Sequence, residues 1–189
     1  GCIAGLCKDK LPDAVIRVLS SVGISMPGYV IASGLMILLA VNLKVLPVNY
    51  NKPGGWLMPM LTLAIYPTSY LTRLTRASIL EVMNQDYLRT ERAKGMSEFV
   101  VVFIHALKNS LIPVITYLGP LTASILTGGF VAESVFSVPG LGRYFVSSIS
   151  SRDYTMIMGV TIFYSALIVF MNLICDILYK IVDPRIQLD

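Results

Sequence analysis

The stretch YTMIMGVTIFYSALIVFMNLIC, from Tyr154 to Cys175, contains 22 consecutive residues without a charged side chain. An α-helix rises about 1.5 Å per residue, so roughly 20 apolar residues cross the roughly 30 Å hydrocarbon core of a bilayer. Three other charge-free stretches have comparable lengths of 26, 20 and 24 residues, at 18–43, 53–72 and 109–132. Because backbone amides in lipid need internal hydrogen bonds, each of the four stretches is predicted to cross a membrane as a helix.

The composition of the whole chain agrees with this interpretation. Among its 189 residues 55% are hydrophobic and 14% charged, and the mean hydropathy is +0.72. These values exclude an ordinary soluble domain, and the apolar stretches lack the alternating pattern of barrel strands. We predict an all-α, polytopic membrane helical bundle that forms a single domain over residues 1–189. It has four complete spans and, over Gly1 to Leu6, the tail of an earlier span, so we expect an N-terminal part to be missing.

The basic residues predict the orientation of the bundle. If the loop after Leu6 is cytoplasmic, 11 Lys and Arg residues lie inside and 4 lie outside. This positive-inside bias predicts a cytoplasmic C-terminus, and it accounts for the net charge of +4 without a nucleic-acid partner. Three cysteines and one histidine provide no ligand set with metal-binding spacing, so neither a metal nor a cofactor is predicted.

The charges concentrate between the second and third spans, within residues 84–110. Asn84 or Asp86 is a candidate N-cap for a first helix that reaches Lys94 and stops at Gly95. Ser97 and Glu98 begin a second predicted helix that runs to Asn109. The sequence therefore predicts a helix, a glycine turn and a second helix.

This segment also resembles a known signature. The stretch DYLRTERAKG at 86–95, followed after nine residues by HALKN at 105–109 and then by Pro113, is similar to the EAA motif of ATP-binding-cassette (ABC) importer permeases, in the oligopeptide, dipeptide and nickel branch. The first alanine of that motif is replaced by Arg92. Three more pieces resemble the same branch: LTRLTR at 71–76, FSVPGLGR at 136–143 and DPRI at 183–186.

The resemblance covers nearly the whole chain and implies a type I ABC importer permease. That family implies a six-span core, of which this chain would hold the last four spans, in a bacterial or archaeal inner membrane. It also implies three kinds of partner: a second homologous permease subunit, two cytoplasmic ATP-binding subunits and an external solute-binding protein. Peptides are the expected substrate, and nickel or another small solute is the alternative.

A physical reason for the signature exists apart from the resemblance. A soluble ATPase drives a membrane pathway only through a rigid element at the cytoplasmic surface, and a short helix ended by a glycine supplies one. We expect Glu91, Arg92 and Lys94 to pair with charges of the receiving groove. The alternative is a solvated loop whose charges only set topology. The predicted ATPase-coupling residues are Asp86, Arg89, Glu91, Arg92, Ala93, Lys94, Gly95 and Met96.

Two other classes of protein fit the sequence less well. An intramembrane enzyme needs a base within the membrane, but the only histidine, His105, lies in the cytoplasmic segment. A secondary carrier usually has ionisable groups near mid-membrane, and the four spans have none. No phosphate-binding loop is present, so the chain is predicted to be non-catalytic, with ATP hydrolysed by partner subunits. Glu133, near the external end of the third span, is either a pathway or gate residue or an interfacial anchor.

Overall fold

The computed structural model describes residues 1–126 and 129–182, and every regular element within those residues is helical. This confirms the all-α prediction, while the DPRI piece at 183–186 lies outside the described residues. Two of the segments are π-helices, and the others are α-helices. In chain order the described elements are α1 Cys2–Leu6, α2 Leu11–Ser25, α3 Gly28–Leu35, π1 Met36–Asn42, α4 Leu57–Met83, α5 Asp86–Ala93, π2 Val100–Ala106, α6 Leu107–Ser110, α7 Ile112–Leu126, α8 Phe130–Val135, α9 Leu141–Ser151 and α10 Tyr154–Val182.

Two helical stretches of the described residues are long and apolar enough to cross a bilayer, Val100–Thr122 and Tyr154–Ile174. Leu11–Ser25 and Gly28–Asn42 form a third candidate if the pair is one broken span. The predicted span at 154–175 is therefore reproduced almost residue for residue. The predicted span at 109–132 is shifted, because its apolar helix begins at Val100.

Within the charge-free stretch 18–43, the helix breaks at Met26 and Pro27. Proline lacks an N–H group and disfavours helical geometry at the residue before it, so α2 ends at Ser25. The Pro27 carbonyl then accepts hydrogen bonds from the N–H groups of Val30 and Ile31, which starts α3. This stretch therefore does not form a single uninterrupted helix.

Helix α4 continues past the predicted end of the second span at Thr72. It has 27 residues, which corresponds to about 40 Å. Its last three turns include Arg73, Arg76 and Glu81, so the helix extends from the apolar stretch into the charged segment. This helix is not among the candidate spans given above, although its length suffices.

The described chain divides into two compact units, and the first contains Gly1–Ser25 and Pro67–Leu118. Inside it, the fully buried Asp13 carboxylate accepts hydrogen bonds from Arg76 Nε at 2.6 Å and Arg76 Nη2 at 2.7 Å. The backbone N–H of Asp9 donates a third, at 3.0 Å. A buried charge needs such partners, so this ion pair joins α2 to α4.

The second unit contains Met26–Tyr66 and Gly119–Asp189. Its core is built from the buried side chains of Ala32, Met58, Ala132 and Phe136. On α10, by contrast, Met158, Ile162 and Val169 are each more than 60% exposed. Large apolar side chains facing outward along a 29-residue helix are typical of a surface in contact with lipid.

Candidate functional site

The first helix of the charged segment begins without the predicted cap. Gln85 occupies the N-cap position of α5 with an extended backbone, and no side chain caps the helix. The Asn84 amide instead donates a hydrogen bond to the Leu80 carbonyl, at the end of α4. Asp86 lies in the first turn of α5, where a negative charge interacts favourably with the helix dipole. The N-cap prediction for Asn84 or Asp86 was therefore wrong.

The other end of α5 stops at the predicted glycine. Gly95 has φ of +81°, its N–H donates to the Arg92 carbonyl at 3.0 Å, and the Met96 N–H donates to the Glu91 carbonyl at 3.4 Å. These two bonds are those of a Schellman motif, with Gly95 at C′. No atom lies within 4 Å of the place where a Cβ on Gly95 would be. Glycine is therefore needed here for its backbone conformation and not for space.

The second helix has the predicted extent but an unexpected geometry. Helical structure begins at Glu98 and continues to Ser110, with π2 occupying Val100–Ala106 and α6 following at Leu107. π-Helices are rare and frequently occur at functional sites. Nothing in the residue spacing indicates the π geometry, so the sequence did not predict it.

Apolar packing joins the two helices. Leu88 of α5 is fully buried, and it forms a small core with Val101 and Ala106, which are also buried. Val82 and Met83 from the end of α4 pack against the same core. The segment is therefore a packed structure and not an extended loop.

Three polar contacts accompany this core. Asn109 Nδ2 donates to Tyr87 Oη at 2.8 Å, His105 Nδ1 lies 3.2 Å from Glu91 Oε1, and Arg92 Nε donates to Glu98 Oε1 at 2.7 Å. Residues that come later in α5 contact residues that come earlier in the second helix, so the two helices are antiparallel. We call residues 84–110 the hairpin.

The hairpin divides the predicted coupling residues into two groups. Glu91 and Arg92 turn inward, where the Glu91 side chain is only 17% exposed. The reason is helical spacing, since Leu88, Glu91 and Arg92 lie on one face. Their charges, expected to meet a partner's groove, are instead paired within the hairpin. The remaining predicted residues form what we call the exposed face: Asp86, Arg89, Ala93, Lys94, Gly95 and Met96.

Tyr87 and Leu88 are hairpin residues to which the sequence analysis assigned no role, and Glu98 was expected only to begin the second helix. His105 and Asn109 belonged to the quoted signature but were likewise given none. The spacing of Leu88, Glu91 and Arg92 was the signal that would have indicated a buried face. The residues of the second helix that contact α5 can be identified only from the three-dimensional structure.

Glu133 lies on α8 and contacts the start of α9. Its Oε2 accepts a hydrogen bond at 3.2 Å from the backbone N–H of Arg143, the third residue of α9. A Cβ on Gly140 would meet this carboxylate, the movable end of a flexible side chain, whereas a Cβ on Gly142 would also meet the Phe130 backbone, which explains the glycine at 142 of the FSVPGLGR piece. Glu133 therefore provides a partner for a backbone N–H in the first turn of α9, and its role as a pathway or gate residue stays a prediction.

Several known proteins are similar to this chain in sequence. The dipeptide transport system permease protein DppB of Bacillus subtilis (strain 168) is 47% identical over 189 residues, which cover 100% of this chain and 61% of that protein. The protein of the same name from Lactococcus lactis subsp. cremoris is 41% identical, covering 96% and 60%. The oligopeptide transport system permease protein OppB of Haemophilus influenzae is 37% identical, covering 99% and 62%.

The chain thus spans about three fifths of the length of the curated relatives it matches. Residues 1–188 match the family of binding-protein-dependent transport system inner membrane components. The helical fold, the outward-facing apolar side chains of α10 and the signature at 86–95 agree with that match. The chain belongs to the family of binding-protein-dependent transport system inner membrane components.

Proposed function

We propose that this chain belongs to the membrane-spanning permease subunit of an ATP-driven importer, where it forms part of the translocation pathway for peptides. The proposal rests on the hairpin, in which the short helix α5 is held by packing and polar contacts with the second helix. An ATPase outside the membrane needs such an element to act on the pathway. The names of the relatives, dipeptide and oligopeptide permeases, support peptides over nickel as the substrate class.

The exposed face of the hairpin is the proposed ATPase contact. Arg89 is 73% exposed, and Lys94 is exposed at the turn beside Gly95. Lys94 at the turn, with Arg89 on the same face beside Asp86 at 3.5 Å, favours a groove with acidic residues, because complementary charge guides association and fixes register. Glu91 and Arg92 contribute by stiffening the hairpin, since their charges are paired internally.

The proposed assembly contains a second homologous permease subunit, two cytoplasmic ATP-binding subunits and an external solute-binding protein. The permease itself is proposed to be non-catalytic, with hydrolysis on the ATP-binding subunits. The hairpin and the C-terminus face the cytoplasm in this arrangement. Glu133 and the start of α9 then lie on the external side, where the solute-binding protein delivers its ligand.

The test uses the full permease that contains this chain, assembled with its partner subunits in proteoliposomes. We expect a labelled di- or oligopeptide to accumulate only with ATP, the ATP-binding subunits and the solute-binding protein present. We expect no ATP hydrolysis by the permease without the ATP-binding subunits. Peptide uptake that needs neither ATP nor those subunits would refute the proposal.

A charge reversal tests the proposed contact. The double variant Arg89→Glu, Lys94→Glu is expected to reduce co-purification of the ATP-binding subunits by tenfold or more, since like charges in a contact cost several kcal/mol and about 1.4 kcal/mol is tenfold. Lys108→Glu is the matched control, because Lys108 is an exposed basic residue of the same hairpin outside the exposed face. Normal co-purification in the double variant would remove the exposed face from the ATPase contact.

A further inference from the structure

We infer that His105 is a positioning residue that holds α5, through Glu91, against the helix that continues into the next span. The inference deepens the proposed function and rests on it, because it assigns the route by which motion of the exposed face reaches the membrane. It concerns the inner face of the hairpin, which makes no contact with a partner in the proposed assembly.

The first observation is the environment of Glu91. Its carboxylate is largely buried, and Oε1 lies 3.2 Å from His105 Nδ1. The second oxygen, Oε2, is buried and has no hydrogen-bond partner among the described residues. A buried carboxylate that loses its partner is strongly disfavoured. Without His105, Glu91 would therefore be driven outward to water, and α5 would turn or loosen with it.

The second observation is the position of His105 in the hairpin. The Arg92–Glu98 contact lies next to the turn, and the Tyr87–Asn109 contact lies at the opposite end. The apolar packing around Leu88 holds the two helices together but sets no particular direction between them, because hydrophobic contacts are not directional. Among the polar contacts seen in the described part of the chain, the Glu91–His105 contact lies between these two ends. Together with those two contacts it fixes the rotation of α5 about its own axis.

The third observation is the connection of His105 to the membrane. His105 lies in π2, and the helical stretch Val100–Thr122 that contains it is long and apolar enough to cross a bilayer. A force on the exposed face thus reaches this stretch through Glu91 and His105 without crossing a flexible loop. The lower regularity of a π-helix fits a segment that changes conformation during function.

Because the contact uses Nδ1 of His105, substitutions at position 105 can be chosen that keep a donor near Nδ1, move it or remove it. Asparagine at position 105 places an amide donor near the location of Nδ1, glutamine places its donor near Nε2, and leucine keeps comparable volume with no donor. A purely structural role of the side chain would tolerate leucine best. A positioning role through Nδ1 predicts that His105→Asn works and that His105→Leu and His105→Gln do not.

Two readouts separate the inference from the proposed function. In a background without the native cysteines, Tyr87→Cys and Asn109→Cys report on hairpin closure by the yield of a cross-link with a short bifunctional thiol reagent, because the parent side chains meet only at their tips and the two sulfurs are too far apart for a direct disulfide. In the complete complex, ATP hydrolysed per peptide imported reports on coupling. We expect His105→Leu to lower the cross-link yield and to raise the ATP-to-peptide ratio, each by about tenfold, because the largely buried Glu91 carboxylate loses its partner. His105→Asn and the control Lys108→Ala should stay close to the parent in both assays.

Unchanged cross-linking and coupling in His105→Leu would overturn the inference, and so would a His105→Asn variant as impaired as His105→Leu. Normal coupling in His105→Leu despite poor cross-linking would overturn it as well, because His105 would then position α5 without effect on transport. A parent complex without ATP-dependent uptake would refute the proposed function instead. In that case the cross-linking assay still decides whether His105 positions α5.

Discussion

Gly95 has positive φ, and the hairpin turn depends on it. A side chain at φ of +81° is strained, and a β-branched one more so, by about 1–2 kcal/mol. We therefore expect Gly95→Val to distort the Schellman turn and to move Lys94 and Met96 of the exposed face. Membrane insertion should be normal, because the apolar stretches are unchanged. The expected result is weaker co-purification of the ATP-binding subunits, or a higher ATP-to-peptide ratio, measured in the complete complex.

Gly95→Asn is the matched control, because asparagine tolerates the left-handed region better than other non-glycine residues. Gly34→Ala in α3 is a second control, since no atom lies within 4 Å of the place where its Cβ would be and alanine favours a helix. If Gly95→Val couples and binds as the parent does, the exposed face does not need this turn, and the coupling role of these residues is wrong.

The residues of the hairpin differ in how far the sequence could predict them. Gly95 was predictable because a glycine after a helical stretch has a local conformational reason. The direction of Glu91 was not, because it depends on Leu88 being buried against Val101 and Ala106, residues of another helix. The Asp13–Arg76 ion pair, which lies outside the hairpin, was also missed. Its two residues are 63 positions apart in the sequence and come together only in the folded chain.

At the scale of elements, a charge-free stretch locates a membrane helix but not its ends. Helix α10 begins at Tyr154 as predicted, because the Asp153 carboxylate accepts a hydrogen bond from the Met156 N–H at 3.0 Å and caps the helix. Helix α4 continues past Thr72 because arginine and glutamate are good helix formers. In the stretch 18–43, Pro27 divides what length alone suggested was one helix. Local backbone chemistry thus decides boundaries that hydropathy leaves open.

The core beneath α5 gives the prediction at this scale. Leu88→Ala removes a fully buried side chain, which typically costs about 2–5 kcal/mol. We expect faster amide hydrogen exchange across residues 84–110, because the hairpin opens more often. Exchange in Tyr154–Ile174 should be unchanged and serves as the internal reference.

Arg89→Ala is the control for Leu88→Ala, because it removes a neighbouring side chain that is 73% exposed. Its exchange pattern should match that of the parent. Similar exchange in the Leu88→Ala variant would show that Leu88 does not hold the hairpin together. The packed base on which the proposed coupling depends would then need another explanation.

For the whole molecule, the distribution of basic residues predicts which loops share a side of the membrane. Lys52 lies in the loop between π1 and α4, and Lys94 lies in the hairpin turn. Both residues are exposed, so a cysteine at either position is accessible to a reagent in water. The count of 11 basic residues against 4 predicts that Lys52 is outside and Lys94 inside.

Labelling of single cysteines tests this arrangement in cells that express the full permease. The native cysteines are first replaced, and a membrane-impermeant thiol reagent is then applied. We expect the Lys52→Cys variant to react in intact cells and the Lys94→Cys variant to react only after permeabilisation, because the bilayer separates the reagent from the hairpin. A third variant, Lys108→Cys, is an independent marker from the same hairpin and should behave like Lys94→Cys. Reaction of both hairpin cysteines in intact cells would reverse the orientation, and the exposed face would then lie on the side without ATP, where it has no ATPase to contact.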